Sequence, residues 1–148
     1  MYGISMKRKV LFLVHVENMF RKYFPDNMYV NRLIRAFNVY DRVICLNSEV
    51  DDFHPIPEIN QLCPEEITWG WGYEKGMFYD PNDENWIIES SGHECTWIPQ
   101  ELRNKQKWMN YDIAVGGGSR WECLQDWLCI LDFMEIAYKV VDGYCYGW

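Results

Sequence analysis

Val10-Leu11-Phe12-Leu13-Val14-His15-Val16 is a continuous apolar run of strand length. A strand with one wet face alternates apolar and polar residues, whereas an unbroken run suits a strand covered on both faces. The run therefore reads as an inner strand of a parallel sheet. Working outward, residues 30–40 place Leu33, Ile34 and Phe37 at helical spacing, with Arg32, Arg35 and Asn38 on the other side. Arg42-Val43-Ile44-Cys45-Leu46 follows as a second buried strand, which completes a βα unit. Farther on, Trp86-Ile87-Ile88-Glu89 reads as a short strand, residues 99–108 as a helix with Pro99 in its first turn, and Asp112-Ile113-Ala114-Val115 as another strand. Residues 121–134 read as a helix with Leu124, Leu128 and Leu131 on its core face and Trp127 beside them. Tyr138-Lys139-Val140-Val141 closes the series as a strand. The expected fold is α/β: a single Rossmann-like three-layer domain over residues 1–148, its mainly parallel β-sheet flanked by helices. Residues 51–85, rich in Pro, Gly, Trp and acidic side chains, form an irregular insertion, in which residues 67–73 read either as a glycine-interrupted strand or as a loop packed by its own aromatics.

Composition narrows the classes. Of 148 residues 49% are hydrophobic and 17% aromatic, enough for a sizeable core, which argues against disorder. The net charge of −8 repels phosphate backbones, so no nucleic-acid partner is expected, and Lys7-Arg8-Lys9 reads as a solvated flank. No apolar stretch approaches the ~20 residues of a membrane span, and Glu17-Asn18 stand where a signal peptide would carry small residues. Six scattered cysteines without CxxC spacing suit free thiols in a reducing, cytoplasmic setting.

Ligands of such sheets bind beyond the carboxyl ends of the strands. All three histidines of the chain fall in segments of that kind: His15 after the first strand, His54 after the second and His93 after Trp86–Glu89. Each taken alone suits a hydrogen-bonded structural residue equally well. Cys123 lies near a helix start just past Gly116-Gly117-Gly118, where backbone N–H groups can stabilise a thiolate and approach an oxyanion; inert packing is the plainer role of a buried cysteine.

Four segments carry a family resemblance. Val14-His15-Val16-Glu17-Asn18-Met19-Phe20 is similar to a V-D-x-Q-N-x-F first-strand signature, and Asp52-Phe53-His54-Pro55 to a D-W-H-P segment. Trp86-Ile87-Ile88-Glu89-Ser90 stands where a strand would end in a catalytic lysine, and Gly117-Gly118-Ser119-Arg120-Trp121-Glu122-Cys123-Leu124 is similar to a G-x-x-x-x-x-C-V turn. In this order the segments resemble the isochorismatase and nicotinamidase family of cysteine hydrolases over most of the chain. The resemblance implies Cys123 as nucleophile and a metal on the D-W-H-P counterpart. The sequence departs from the family at its other catalytic positions: His15 stands for the aspartate, Glu17 for the glutamine, and the lysine has no counterpart. A second metal-ligating histidine is missing unless His93 supplies it.

The expected catalytic residues are accordingly Cys123, with His15 as its base, and Glu17. Arg120, Trp121 and Gly118 are the substrate-binding candidates, Arg120 for an anionic group and Trp121 for a planar ring, while Trp69 and Trp71 suit stacking or core packing equally. Asp52, His54 and His93 are the candidate ligands of a zinc-like divalent metal, although Asp52 in a turn with Pro55 serves as well to cap backbone N–H groups. The expected partner is a small-molecule substrate or ligand, with no membrane involved, and self-association into a homo-oligomer stays open. Two alternatives stand beside the hydrolase: a catalytically degenerate binding or interaction domain of the same fold, and an NYN/PIN-type metal-dependent ribonuclease. The second resembles the first strand and the residue 115–121 turn but lacks the two turn acids, replaced by Gly118 and Arg120.

Overall fold

The structure is a computed structural model that describes residues 7–48, 52–70 and 85–147. β1 (Arg8–Val14) lies at the centre of a five-stranded sheet, parallel throughout, in the order β3 (Glu65–Thr68), β2 (Arg42–Asn47), β1, β6 (Tyr111–Gly117), β7 (Lys139–Cys145). Phe12 stands in register between Ile44 and Val115, and Val14 between Leu46 and Gly117. Residues 10–14 are wholly buried, and the period of two divides them between the faces. Val10, Phe12 and Val14 join one core with Trp69, Trp108 and Trp127, while Leu11 and Leu13 join the other with Tyr29, Leu33 and Ile59.

The helices cover both faces, so the fold is the expected three-layer α/β arrangement. α1 (Tyr29–Ala36) and α2 (Pro57–Asn60) pack on the Leu11 side, and α3 (Lys105–Trp108) and α4 (Cys123–Phe133) on the Phe12 side. Leu124, Trp127, Leu128 and Leu131 are all buried, as the helical spacing predicts. The Trp127 ring stands edge-on to Phe12 and to Trp69, with centroids 5.2 and 5.0 Å away. Such pairs add about 1 kcal/mol each beyond the area they bury. No helix among the described residues is long and apolar enough to cross a membrane.

Two expectations need correction. The strand at 86–89 is not part of the parallel sheet. β4 (Ile87–Glu89) pairs antiparallel with β5 (Cys95–Trp97) in a separate hairpin whose three-residue strands are mostly half-buried. The place next to β2 is taken instead by β3. The helix expected over 99–108 breaks into a 3-10 turn, Gln100–Leu102, and α3. Asn104 between them has non-helical torsions, and the preceding Arg103 is drawn back: its Nε and Nη2 donate to the Ile98 carbonyl and its guanidinium lies over the Trp86 and Trp97 rings. Of the 51–85 insertion, residues 52–70 are ordered around α2 and β3; Trp71 lies outside the described residues.

The strand order fixes where a ligand would sit. From β1 the chain steps outward to β2 and β3, then crosses to β6 on the other side of β1. The carboxyl ends of β1 and β6 therefore form the switch point, where open α/β sheets leave a crevice.

Candidate active site

β6 leads to Cys123 at that end of the sheet. Gly117 has φ +91° and lies so close to β1 that a Cβ on it would stand 2.2 Å from the Val14 carbonyl oxygen. The Gly118 amide donates to the same carbonyl at 2.9 Å, and the amides of Glu122 and Leu124 both reach the Ser119 carbonyl at 3.1 Å. These bonds turn the chain from the sheet into α4, whose first residue is Cys123. The Cys123 amide makes no hydrogen bond among the described residues. Its thiol is buried, which pushes it well above the ordinary thiol range, and the negative charges of Asp126, Glu122 and Glu17 push it further. At neutral pH it is a thiol, not a thiolate.

One helical turn on, Asp126 shares the face of Cys123, as the i, i+3 spacing requires. Asp126 is 3% exposed, and its carboxylate meets the hairpin turn. The His93 amide donates to Asp126 Oδ1 at 2.9 Å, and the ring Nδ1–H of His93 donates to Asp126 Oδ2. Ser90 Oγ donates to the His93 carbonyl at 2.6 Å and tightens the turn. One donor atom from each of His93, Cys123 and Asp126 lies within 4.8 Å of the other two. Sequence reading missed Asp126, although Cys-x-x-Asp at a helix start was the available signal.

Gly92 makes this approach feasible. A Cβ there would stand 2.1 Å from the Glu122 carbonyl oxygen and 2.7 Å from Asp126 Oδ1. Gly92→Ala is expected to lift the turn from α4 at a cost of about 2 kcal/mol in urea unfolding. Gly143→Ala, whose Cβ would meet nothing nearer than 3.9 Å, is the control and should lose nothing.

His15 and Glu17 line the β1 side. His15 is 1% exposed and takes a left-handed φ of +49°, sparsely populated by residues other than glycine. Its Nε2–H donates to the Trp69 carbonyl at 2.7 Å, and its own carbonyl accepts from the Tyr146 hydroxyl at 2.6 Å. Burial lowers its pKa to about 4, against the raising effects of the Trp69 bond and of the Asp126 charge. Glu17 is fully buried, and Ser48 donates to it from Oγ at 2.5 Å and from its amide at 3.3 Å. His93, rather than His15, shares a cluster with the thiol.

Asp52 and His54 lie apart from this cluster. Asp52 and His54 are exposed, and His54 Nδ1 lies 3.2 Å from Glu66 Oε1, an oxygen that also accepts from Asn47. Among the described residues, His93, Cys123 and Asp126 are the one group of three potential metal donors, so Asp52 and His54 do not join His93. Among the described residues this exposed rim therefore offers no third donor from His93, and His54 is turned to Glu66. Arg120 is held toward β7 by Asp142 at 3.1 Å, Trp121 is 65% exposed, and Gly118 packs under the Tyr146 carbonyl. Trp69 is a core residue whose Nε1–H donates to the Trp97 carbonyl at 2.8 Å.

No family model, curated protein or solved structure matches the chain. A cavity of about 520 Å³ lies at the other end of the sheet, among the first residues of β1, β6 and β7, and no histidine or cysteine lines it. The titratable groups that bear on one another, His15, Glu17, His93, Cys123 and Asp126, are instead at the switch point.

Proposed function

We infer that the chain is a divergent cysteine hydrolase of the isochorismatase-like kind, cleaving an amide or related acyl bond of a small molecule. The single observation that supports this reading is the meeting of His93, Asp126 and Cys123 at the switch point of the sheet. The family resemblance of the 117–124 turn supports it independently. Cys123 is the nucleophile, His93 its base, and Asp126 positions the imidazole. Because the thiol is protonated at rest, attack requires His93 to take its proton as the carbon–sulfur bond forms. The proton then passes to the leaving amine or alcohol as the acyl bond breaks. Water, deprotonated by the same imidazole, cleaves the thioester and restores the thiol. The Cys123 amide supplies a donor to the oxyanion.

The test is acylation by p-nitrophenyl acetate, followed by intact mass and peptide mapping. Wild type should gain one acetyl group on Cys123, and His93→Gln should acylate at least about 100-fold more slowly. Equal rates in the two proteins would remove the hydrolase reading.

A second reading has one observation in its favour. Burial and three nearby carboxylates suppress the thiolate, which suits a binding pocket that has lost its chemistry. That reading expects acetyl groups on the exposed Cys63 and none on Cys123.

A further inference from the structure

We propose that His93, Cys123 and Asp126 form a three-donor site for a thiophilic divalent cation of the zinc class. The donor set is an imidazole nitrogen, a sulfur and a carboxylate oxygen, mutually within 4.8 Å. A tetrahedral ion about 2.0–2.3 Å from each donor holds them about 3.5 Å apart, so the hydrogen-bonded Nδ1 and Oδ2 must separate to admit it. Little movement is required, because Cys123 and Asp126 belong to one helical turn and the His93 amide is already tied to Asp126 Oδ1. The site differs from the Asp52 and His54 pair, which takes no part in it.

Charge favours the ion. A thiolate and a carboxylate neutralise a dication, and the imidazole adds a neutral donor. Glu17 and Glu122 add further negative potential at the sulfur. Surroundings that hinder a bare thiolate are those that attract a cation, and a bound cation deprotonates a coordinating thiol outright. The proton balance is simple. The ion enters between Nδ1 and Oδ2, where the Nδ1–H now bridges them, and the imidazole keeps its proton by moving it to Nε2. One proton, that of the thiol, leaves the protein.

Access and support are both present. Asp126 is buried, whereas the His93 side chain is 32% exposed, so the imidazole is the side of the cluster that solvent meets. Outside the donors, Ser90 holds the turn that carries His93, and Gly92 allows that turn to sit against Glu122.

Binding does not rest on the hydrolase reading and is measured without substrate. The reduced full chain is titrated with Co²⁺ and followed by the thiolate-to-cobalt charge-transfer band in the near ultraviolet. One equivalent should produce the band, and Zn²⁺ should abolish it. Cys123→Ser should lose the band, and Asp126→Asn and His93→Gln should bind at least tenfold more weakly, while His54→Gln should match wild type. Near-ultraviolet circular dichroism of each metal-free protein shows whether it has folded. Should Cys123→Ser fail that check, protection of Cys123 from iodoacetamide by one equivalent of Zn²⁺, mapped by peptide mass, decides in the wild type. A band that survives in folded Cys123→Ser, or wild type with neither band nor protection, overturns the site. Metal binding without acetylation would remove the hydrolase and leave this site standing; acetylation without metal binding would do the reverse.

Discussion

Gly117→Ala is expected to cost about 3 kcal/mol or more, and with it the geometry of the Cys123 turn. The new Cβ would stand 2.2 Å from the carbonyl oxygen, 2.4 Å from the nitrogen and 2.8 Å from the carbonyl carbon of Val14. None of these is the yielding tip of a side chain. They are backbone atoms of the wholly buried central strand, bonded into ladders on both sides. The φ of +91° adds strain for any side chain. Relief would require β1 and β6 to part at the position where Gly118 bonds to Val14. For a chain of this size such a loss lowers the melting temperature by roughly 10 °C. Calorimetry of Gly117→Ala beside Gly143→Ala checks it, and a melting point equal to wild type would show that the strands can part at little cost.

The stability of the protein is also expected to fall steeply as pH drops through 6, with His15 responsible for much of the slope. An unfolded histidine titrates near 6.5, but in the folded chain burial holds His15 to about 4. Between these values the unfolded chain takes up a proton that the folded chain refuses, so stability rises with pH in this window. The contribution is complete above pH 6.5 and is lost as pH falls toward 4, a change of about 3 kcal/mol. Carboxylates held low by arginine or lysine partners, Glu58 and Glu65 among them, also lose stability in acid, so wild type alone does not isolate the imidazole. His15→Gln does, since its side-chain amide can still donate to the Trp69 carbonyl yet does not titrate. Urea unfolding at pH 7.0, 5.5 and 4.5 should give a shallower fall for His15→Gln. Parallel curves would mean that His15 protonates in the folded chain without penalty.

The legible parts of the chain were those where one force acts alone. β1 and β2 announced themselves because both faces are covered, and α4 because Leu124, Trp127, Leu128 and Leu131 keep helical spacing. β3 was legible only at its end, where the strand-or-loop reading of residues 67–73 begins, since Glu65-Glu66-Ile67-Thr68 buries a single side chain at the sheet edge. The hairpin was half legible: two short apolar runs flank Ser90-Ser91-Gly92-His93-Glu94, a turn composition, but a strand alternating with helices was the stronger pattern. Cys123 was found from its glycine-rich approach, whereas Asp126 was hidden inside an apolar helix face. His54 and Asp52 attracted notice through sequence proximity, yet the fold turns His54 toward Glu66.

Among the described residues, the hairpin that carries His93 shares no backbone ladder with the sheet that leads to Cys123. Its described ties to the body run through side chains: Asp126 to the His93 amide, Cys129 Sγ to the Ser91 amide, Trp69 and Arg103 to the carbonyls of Trp97 and Ile98. The basic group and the thiol are thus inherited on separate pieces of architecture. Substitutions in the hairpin can re-aim or replace the imidazole while the sulfur and its glycine turn stay where they are, which gives descendants of this chain a short route to new chemistry on an unchanged sheet.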